Sequence, residues 1–131
     1  MQTRLDKEIG FMEQGLRIRA QRQQVLATNI ANADTPNYKA KDIDFNQAMK
    51  SALSNTGNNA GMSVTNSKHI DSSSNVLSQV TERTAKQNSA DGNTVDMDVE
   101  QSQFAENALQ YETLVSMING TFKNINSVMQ G

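Results

Sequence analysis

Phe104, Ala108, Tyr111, Val115, Ile118, Phe122, Ile125 and Met129 step by four and three without exception, and all eight are apolar. At about 100° per residue such a stripe stays on one side of a helix for about seven turns, the pattern of a coiled-coil-like seam. Its start is marked by Asp96, Asp98 and Glu100, negative charge where a helix dipole is positive, and Asp98 with Gln101 has the spacing of a capping box. Asp91-Gly92 supplies a turn just upstream. Gly120 costs about 1 kcal/mol against Ala inside a helix and admits a close approach by a neighbouring helix.

The other end of the chain repeats the pattern. Leu5, Ile9, Met12, Leu16, Arg19, Gln23, Leu26 and Ile30 follow the same steps, with polar residues in mid-stripe. Phe11, Ile18 and Val25 fall on the opposite side as a second, narrower seam, which a simple two-helix pair would leave wet. The helix should end near Asn32, because Pro36 disfavours helical dihedrals at Thr35 and Asn-Ala-Asp-Thr-Pro-Asn is built of turn formers.

The expected fold is mainly α: long N- and C-terminal amphipathic helices packing as an antiparallel coiled-coil-like pair. Residues 1–33 and 96–131 form the helical core, 34–45 a turn and an extended segment, and 46–95 a Ser/Asn/Gly-rich region. In that last region only Met-Ser-Val at 62–64 and Val-Leu-Ser-Gln-Val at 76–80 have extended character, leaving a loop or a small β-hairpin as the two readings. Leu, Ile, Val and Phe together number 26 of 131 residues, too few for a large self-contained core. The assembly interface is accordingly expected on the stripes: Leu5, Ile9, Met12, Leu16, Leu26, Ile30, Phe104, Tyr111, Val115, Ile118, Phe122, Ile125 and Met129. Met12 and Met129 read as core, and the isolated chain is expected to fold only marginally.

Charge and composition narrow the function. Net charge is -2, with about +2 on residues 1–33 and -4 on 94–131, so the two ends attract each other rather than a phosphate backbone. Arg17, Arg19 and Arg22 form the basic patch that a helical nucleic-acid-binding regulator would use, yet no aromatic interleaves them. Absence of Cys excludes disulfides, thiolate metal sites and a Cys nucleophile. His69 lacks the companions a metal site needs, and Asp34, Asp42 and Asp44 lack the spacing of a calcium loop, so they read as solvated turn carboxylates. The acidic residues lie on helix starts or turns, not in the paired arrangement a wall-cutting hydrolase requires. No catalytic, cofactor or metal residues are assigned, and no small-molecule substrate or membrane insertion is expected. The opening residues never reach the apolar run of a secretory signal, so export would use a route that reads no cleavable signal.

Residues 27–45, ATNIANADTPNYKAKDIDF, resemble the N-terminal signature of the flagellar basal-body rod family, Asn-Ile-Ala-Asn-x-x-Thr-Pro-Gly-Tyr at the end of a long helix. Asn29, Ile30, Ala31, Asn32, Thr35, Pro36 and Tyr38 match; Asn37 stands where the family usually has Gly, and Asn tolerates positive φ next best. Residues 91–112, DGNTVDMDVEQSQFAENALQYE, resemble the C-terminal segment of a short proximal-rod member of that family, in preference to another short axial subunit. The resemblance implies a non-enzymatic subunit of the bacterial flagellar rod, which transmits motor torque across the periplasm. It further implies passage through the flagellar type III channel and no cofactor. The implied partners are copies of itself, neighbouring rod proteins, and adaptor and export-gate components at the rod base. The turn at 35–38 is expected to send the chain into an extended segment that touches a neighbouring subunit, with Tyr38 as an anchor.

Overall fold

The computed structural model describes residues 4–57, 79–84 and 90–130. In chain order these form helix α1 (Arg4–Ala31), strand β1 (Lys41–Ile43), helix α2 (Phe45–Gly57), strand β2 (Val80–Glu82) and helix α3 (Met97–Gln130). The two terminal helices, 28 and 34 residues or about 42 and 51 Å long, pack against each other antiparallel. Gly15 meets Leu114, Arg19 meets Asn107, and Asn29 meets Glu100. The mainly helical fold with a long terminal pair is therefore what the stripes predict.

The middle differs in detail. A two-strand antiparallel pair forms, but between Lys41–Ile43 and Val80–Glu82, with Lys41 opposite Glu82 and Ile43 opposite Val80. Of the two segments expected to pair, 62–64 and residues 76–78 of the other lie outside the described residues, and Val80 is the first residue of β2. Residues 46–57, expected to open a loop-rich region, are helical instead. Asp44 caps them: its Oδ1 accepts the N–H groups of Asn46 at 2.9 Å and Gln47 at 3.1 Å. His69 and Met62 also lie outside the described residues.

Helix α2 exists because it has something to cover. Its Ala48 and Met49, with Ile43 of β1, bury Ile18 completely, and Val25, Phe45 and Val80 pack around them. The second seam of α1 is thus covered from within the chain at Ile18 and Val25, while Phe11 stays 47% exposed. Gly15 marks the crossing point, since a Cβ there would sit 3.2 Å from Leu114 and 3.4 Å from the Met49 methyl. Gly120, expected to admit a neighbouring helix, has nothing within 4 Å of the place its Cβ would occupy.

The helix α3 cap is also displaced from its expected position. Asp96, not Asp98, accepts the first N–H groups, from Asp98 at 3.1 Å and Val99 at 3.3 Å. The acidic first turn of Asp98 and Glu100 is present as expected. Glu100 does more than favour the dipole, because it is fully buried.

Candidate assembly surface and the interlocked motif segments

The end of α1 is finished by residues far away in sequence. After Asn32 the chain tightens, with the Ala33 N–H on the Ile30 carbonyl at 3.2 Å and the Thr35 N–H on the Asn32 carbonyl at 3.0 Å. Asn93 Nδ2 lies 3.0, 2.8 and 2.9 Å from the carbonyls of Asn32, Ala33 and Thr35. Its two N–H bonds are shared among three acceptors, a C-terminal cap supplied from the start of the other helix. Asn37 takes φ of 61° and Gly92 takes 75°, the two left-handed residues lying back to back. The Asn37 N–H donates to the Asp91 carbonyl at 3.0 Å, the Thr94 N–H to the Tyr38 carbonyl at 3.0 Å, and Lys39 Nζ to the Gly92 carbonyl at 2.8 Å. The turn and the segment after it are therefore fixed within their own chain, while Thr35, Pro36, Asn37 and Lys39 stay exposed.

The positive φ at Asn37 gives a direct test. Asn37→Gly should leave stability of the purified chain unchanged or slightly raised, because it keeps the dihedral at no steric cost. Asn37→Val should lower it by about 1–2 kcal/mol, since a β-branched residue resists that region. Urea melts followed by circular dichroism compare them. Equal midpoints for Gly and Val would mean that the local backbone relaxes without penalty.

Asn29, the first motif residue, is fully buried and has a partner for each polar group. Nδ2 donates to the Lys41 carbonyl at 2.7 Å and to Glu100 Oε2 at 3.0 Å; Oδ1 accepts from the Lys41 N–H at 3.0 Å and the Tyr38 hydroxyl at 3.2 Å. One side chain thus ties α1, β1, the turn and α3 together. Burial, aided by the Glu100 charge, pushes the Tyr38 phenol above its ordinary range. Of the other motif residues, Asn32 bonds back to the Thr28 carbonyl at 2.8 Å and accepts the Thr35 hydroxyl at 3.1 Å. Ile30 is half-buried, and Ala31, Thr35 and Pro36 are exposed.

Next to Asn29 lies a charge cluster that the sequence did not reveal. Arg22 forks onto Asp42 at 2.8 and 3.0 Å, and Arg83 reaches the same carboxylate at 2.9 Å. Arg83 also bonds Glu100 Oε1 and, at 2.8 Å, Gln103. Burial opposes the charge on Asp42, but hydrogen bonds from Arg22, the Ile43 N–H and Arg83 outweigh it and hold its carboxyl below the usual range. The basic patch needs correction here, and so does the reading of Asp42 as a solvated turn carboxylate, whereas Asp34 and Asp44 are exposed as expected. Arg22 is committed to Asp42, Arg19 lies 3.8 Å over the Phe45 ring and bonds Asn107, Arg17 stands 3.9 Å from Glu13, and Asp44 is a helix cap. Among the described residues, no group of three or more His, Cys, Asp or Glu side chains is placed to hold a metal ion.

Because the Asp42 carboxyl is held below its unfolded value, its stabilisation is complete above about pH 4 and is lost as pH falls through the lower folded value. Asp42→Asn should therefore be less stable than the parent at pH 7, and the difference should shrink steadily below about pH 4. Denaturant melts at several pH values measure it. A difference independent of pH would remove Asp42 ionisation as the cause.

The stripe residues do not all face the helix pair. The line of α3 that faces α1 is Glu100 and Asn107, both fully buried, and the half-buried Leu114 on Gly15; Asn107 donates to the Arg19 carbonyl at 2.9 Å and Gln23 Oε1 at 2.6 Å. The line Ala108, Val115, Phe122 and Met129 turns off to one flank, Phe122 being 48% and Met129 79% exposed. Met129 is thus surface rather than core. On α1, Ile18 and Val25 turn toward α2 and the strands, so Ile9, Leu16 and Ile30, all half-buried, lie on the other flank. Gln103, toward Arg22 and Arg83, marks the strand side of α3. The two apolar flanks therefore lie together on the side of the pair away from α2 and the strands. Leu26 is the one interface candidate fully buried; Met12, Phe104, Ile118 and Ile125 are half-buried, and Leu5 and Tyr111 are somewhat more exposed. Helix α3 shows further apolar side chains on its back and end, at Leu109, Met117 and Val128.

Two terminal helices locked by motif segments and exposing apolar flanks on several sides are the build of an assembly subunit. Residues 12–39, which carry Asn29 and the turn, match the family described as flagella basal body rod protein. Flagellar basal body rod protein FlgB of Escherichia coli K12 is 42% identical over 136 residues, covering 99% of this chain and 98% of that protein. FlgB of Salmonella typhimurium LT2 is 41% identical over 136 residues, with 100% and 99% covered, and FlgB of Yersinia enterocolitica 40% over 139 residues, with 99% and 98% covered. The chain belongs to the FlgB family of flagellar basal body rod proteins.

Proposed function

We propose that this chain serves as a structural subunit of the proximal rod in the flagellar basal body by packing its terminal helices against copies of itself and against neighbouring rod proteins. Its role is structural rather than catalytic. The supporting observation is the distribution of apolar surface on α3: Leu109, Met117 and Phe122 point in different directions, and Val128 and Met129 at the helix end are 83% and 79% exposed. A single partner would cover one of these sides, whereas a subunit inside an axial assembly has neighbours on several. Adaptor and export-gate components at the rod base complete the set of proposed partners. The subunit is proposed to reach the rod through the flagellar type III channel.

The sequence contains no Cys, so an introduced one is unique. In basal bodies isolated from a strain producing Met117→Cys or Val128→Cys, a short bifunctional thiol reagent should link this chain to itself. Chains recovered only as monomers from both variants would reject packing between copies through α3.

A further inference from the structure

The segment carrying β2 meets the rest of the fold through one apolar side chain and one charged one. Val80 packs on the small core and Thr81 and Glu82 are exposed, whereas Arg83 reaches Asp42 of β1, Gln103 of α3 and Glu100 of α3 at once. The Arg83 N–H also donates to the Ala40 carbonyl at 2.8 Å, which fixes the backbone from which the guanidinium reaches in. Glu100 is fully buried, and its two oxygens are held by Arg83 on one side and Asn29 of α1 on the other. Asp42 has a second cation in Arg22; the ion pair of Glu100 is with Arg83.

From this asymmetry we infer that Arg83 is a latch that couples docking of the β2 segment to closure of the α1–α3 pair, acting through Glu100. With Arg83 seated, the four charges of Arg22, Arg83, Asp42 and Glu100 balance. When the β2 segment lifts away, Asp42 keeps the Arg22 fork, but Glu100 is left as a buried carboxylate hydrogen-bonded to an amide, with Arg22 the cation still near it but bonded to Asp42. An uncompensated buried charge destabilises far more than the loss of its salt bridge would at the surface, because it must be rehydrated by opening the structure around it. The place that opens is the contact of Glu100 with Asn29, which joins the two terminal helices next to the turn. A change in the middle of the chain is thereby transmitted to helices whose sequence lies on either side of it, and the two parts behave as one cooperative unit.

The test compares amide hydrogen exchange in the full chain for the parent, Arg83→Met, Glu100→Gln and the double variant. Arg83→Met should speed exchange about ten-fold or more both at 80–83 and in the helix segments around Asn29 and Glu100. Adding Glu100→Gln, which keeps an acceptor for Asn29 and removes the charge, should return the helix segments to near the parent rate while 80–83 stays fast. If Arg83→Met does not fold, the double variant carries the test: parental helix content there supports the coupling. Helix exchange unchanged in Arg83→Met, or no rescue by Glu100→Gln, or failure of the double variant to fold, each overturns it.

Discussion

Phe122→Asp should leave the isolated chain as helical and as stable as the parent while abolishing swimming. In the single chain Phe122 is 48% exposed and lies on the flank away from α2, so an aspartate there reaches water and costs at most about 0.5 kcal/mol. Packed against another subunit the same carboxylate would be stripped of water without a partner, a loss of several kcal/mol at every repeat. Ile118→Asp is the control with a different signature. Ile118 is half-buried, so that substitution should weaken the single chain as well as the assembly. Circular dichroism on purified protein and motility-plate diameters separate the two effects. Swimming cells carrying Phe122→Asp would show that this flank faces solvent in the rod.

Asn29→Ala should destabilise the chain itself, by about 3–5 kcal/mol. Truncation takes a partner from the Lys41 N–H and carbonyl, the Tyr38 hydroxyl and the buried Glu100 carboxylate together. Leaving a buried polar group unpaired costs about 1–3 kcal/mol, more for a charge, and water entering the small hole offsets part of the sum. Domains are typically stable by about 5–15 kcal/mol, and one whose described residues bury Ile18, Leu26, Ala40, Ile43, Ala48 and Met49 as their apolar core belongs near the lower end. The variant should therefore be substantially unfolded at 37 °C. Tyr38→Phe, which removes only the hydroxyl, should cost about 1 kcal/mol. Urea melts give both values, and an Asn29→Ala midpoint close to that of Tyr38→Phe would mean that Asn29 is not the hub its contacts describe.

These two residues also show what an apolar pattern can and cannot reveal. The stripe through Phe122 located α3 and its mate correctly, since a long four-three repeat has few other uses. It misplaced the centre of the contact because the contact runs along Gly15, Arg22 and Asn29 on one helix and Glu100 and Asn107 on the other. Those positions recur every seven residues as an ordinary seam does, but they carry glycine, charge and amide, so a search for hydrophobic residues passes over them. Asn37 was legible because a backbone requirement acts through one residue type. The Asp42 pairing was not: its second arginine comes from inside the Ser/Asn/Gly-rich region, 41 residues away, and nothing local to Arg83 marks it as different from a surface charge. Helix α2 was hidden for a related reason, since Ser, Asn and Gly dilute its composition while Phe45, Ala48 and Met49 carry its contact with the core around Ile18.

The cap that Asn93 places on α1 also has a kinetic meaning. Its three acceptors are 58 to 61 residues away in sequence, and Asn107 reaches 88 residues back to Arg19. Contacts this distant close slowly, because a large loop must be organised before any of them forms. A chain emerging from the ribosome thus cannot receive this cap on its first helix until most of its length has been made. A fragment ending before Asp91 should stay frayed at Asn32 however long it is incubated. Folding of this subunit is accordingly a late, nearly single event in the life of the chain rather than a sequence of helices added in order.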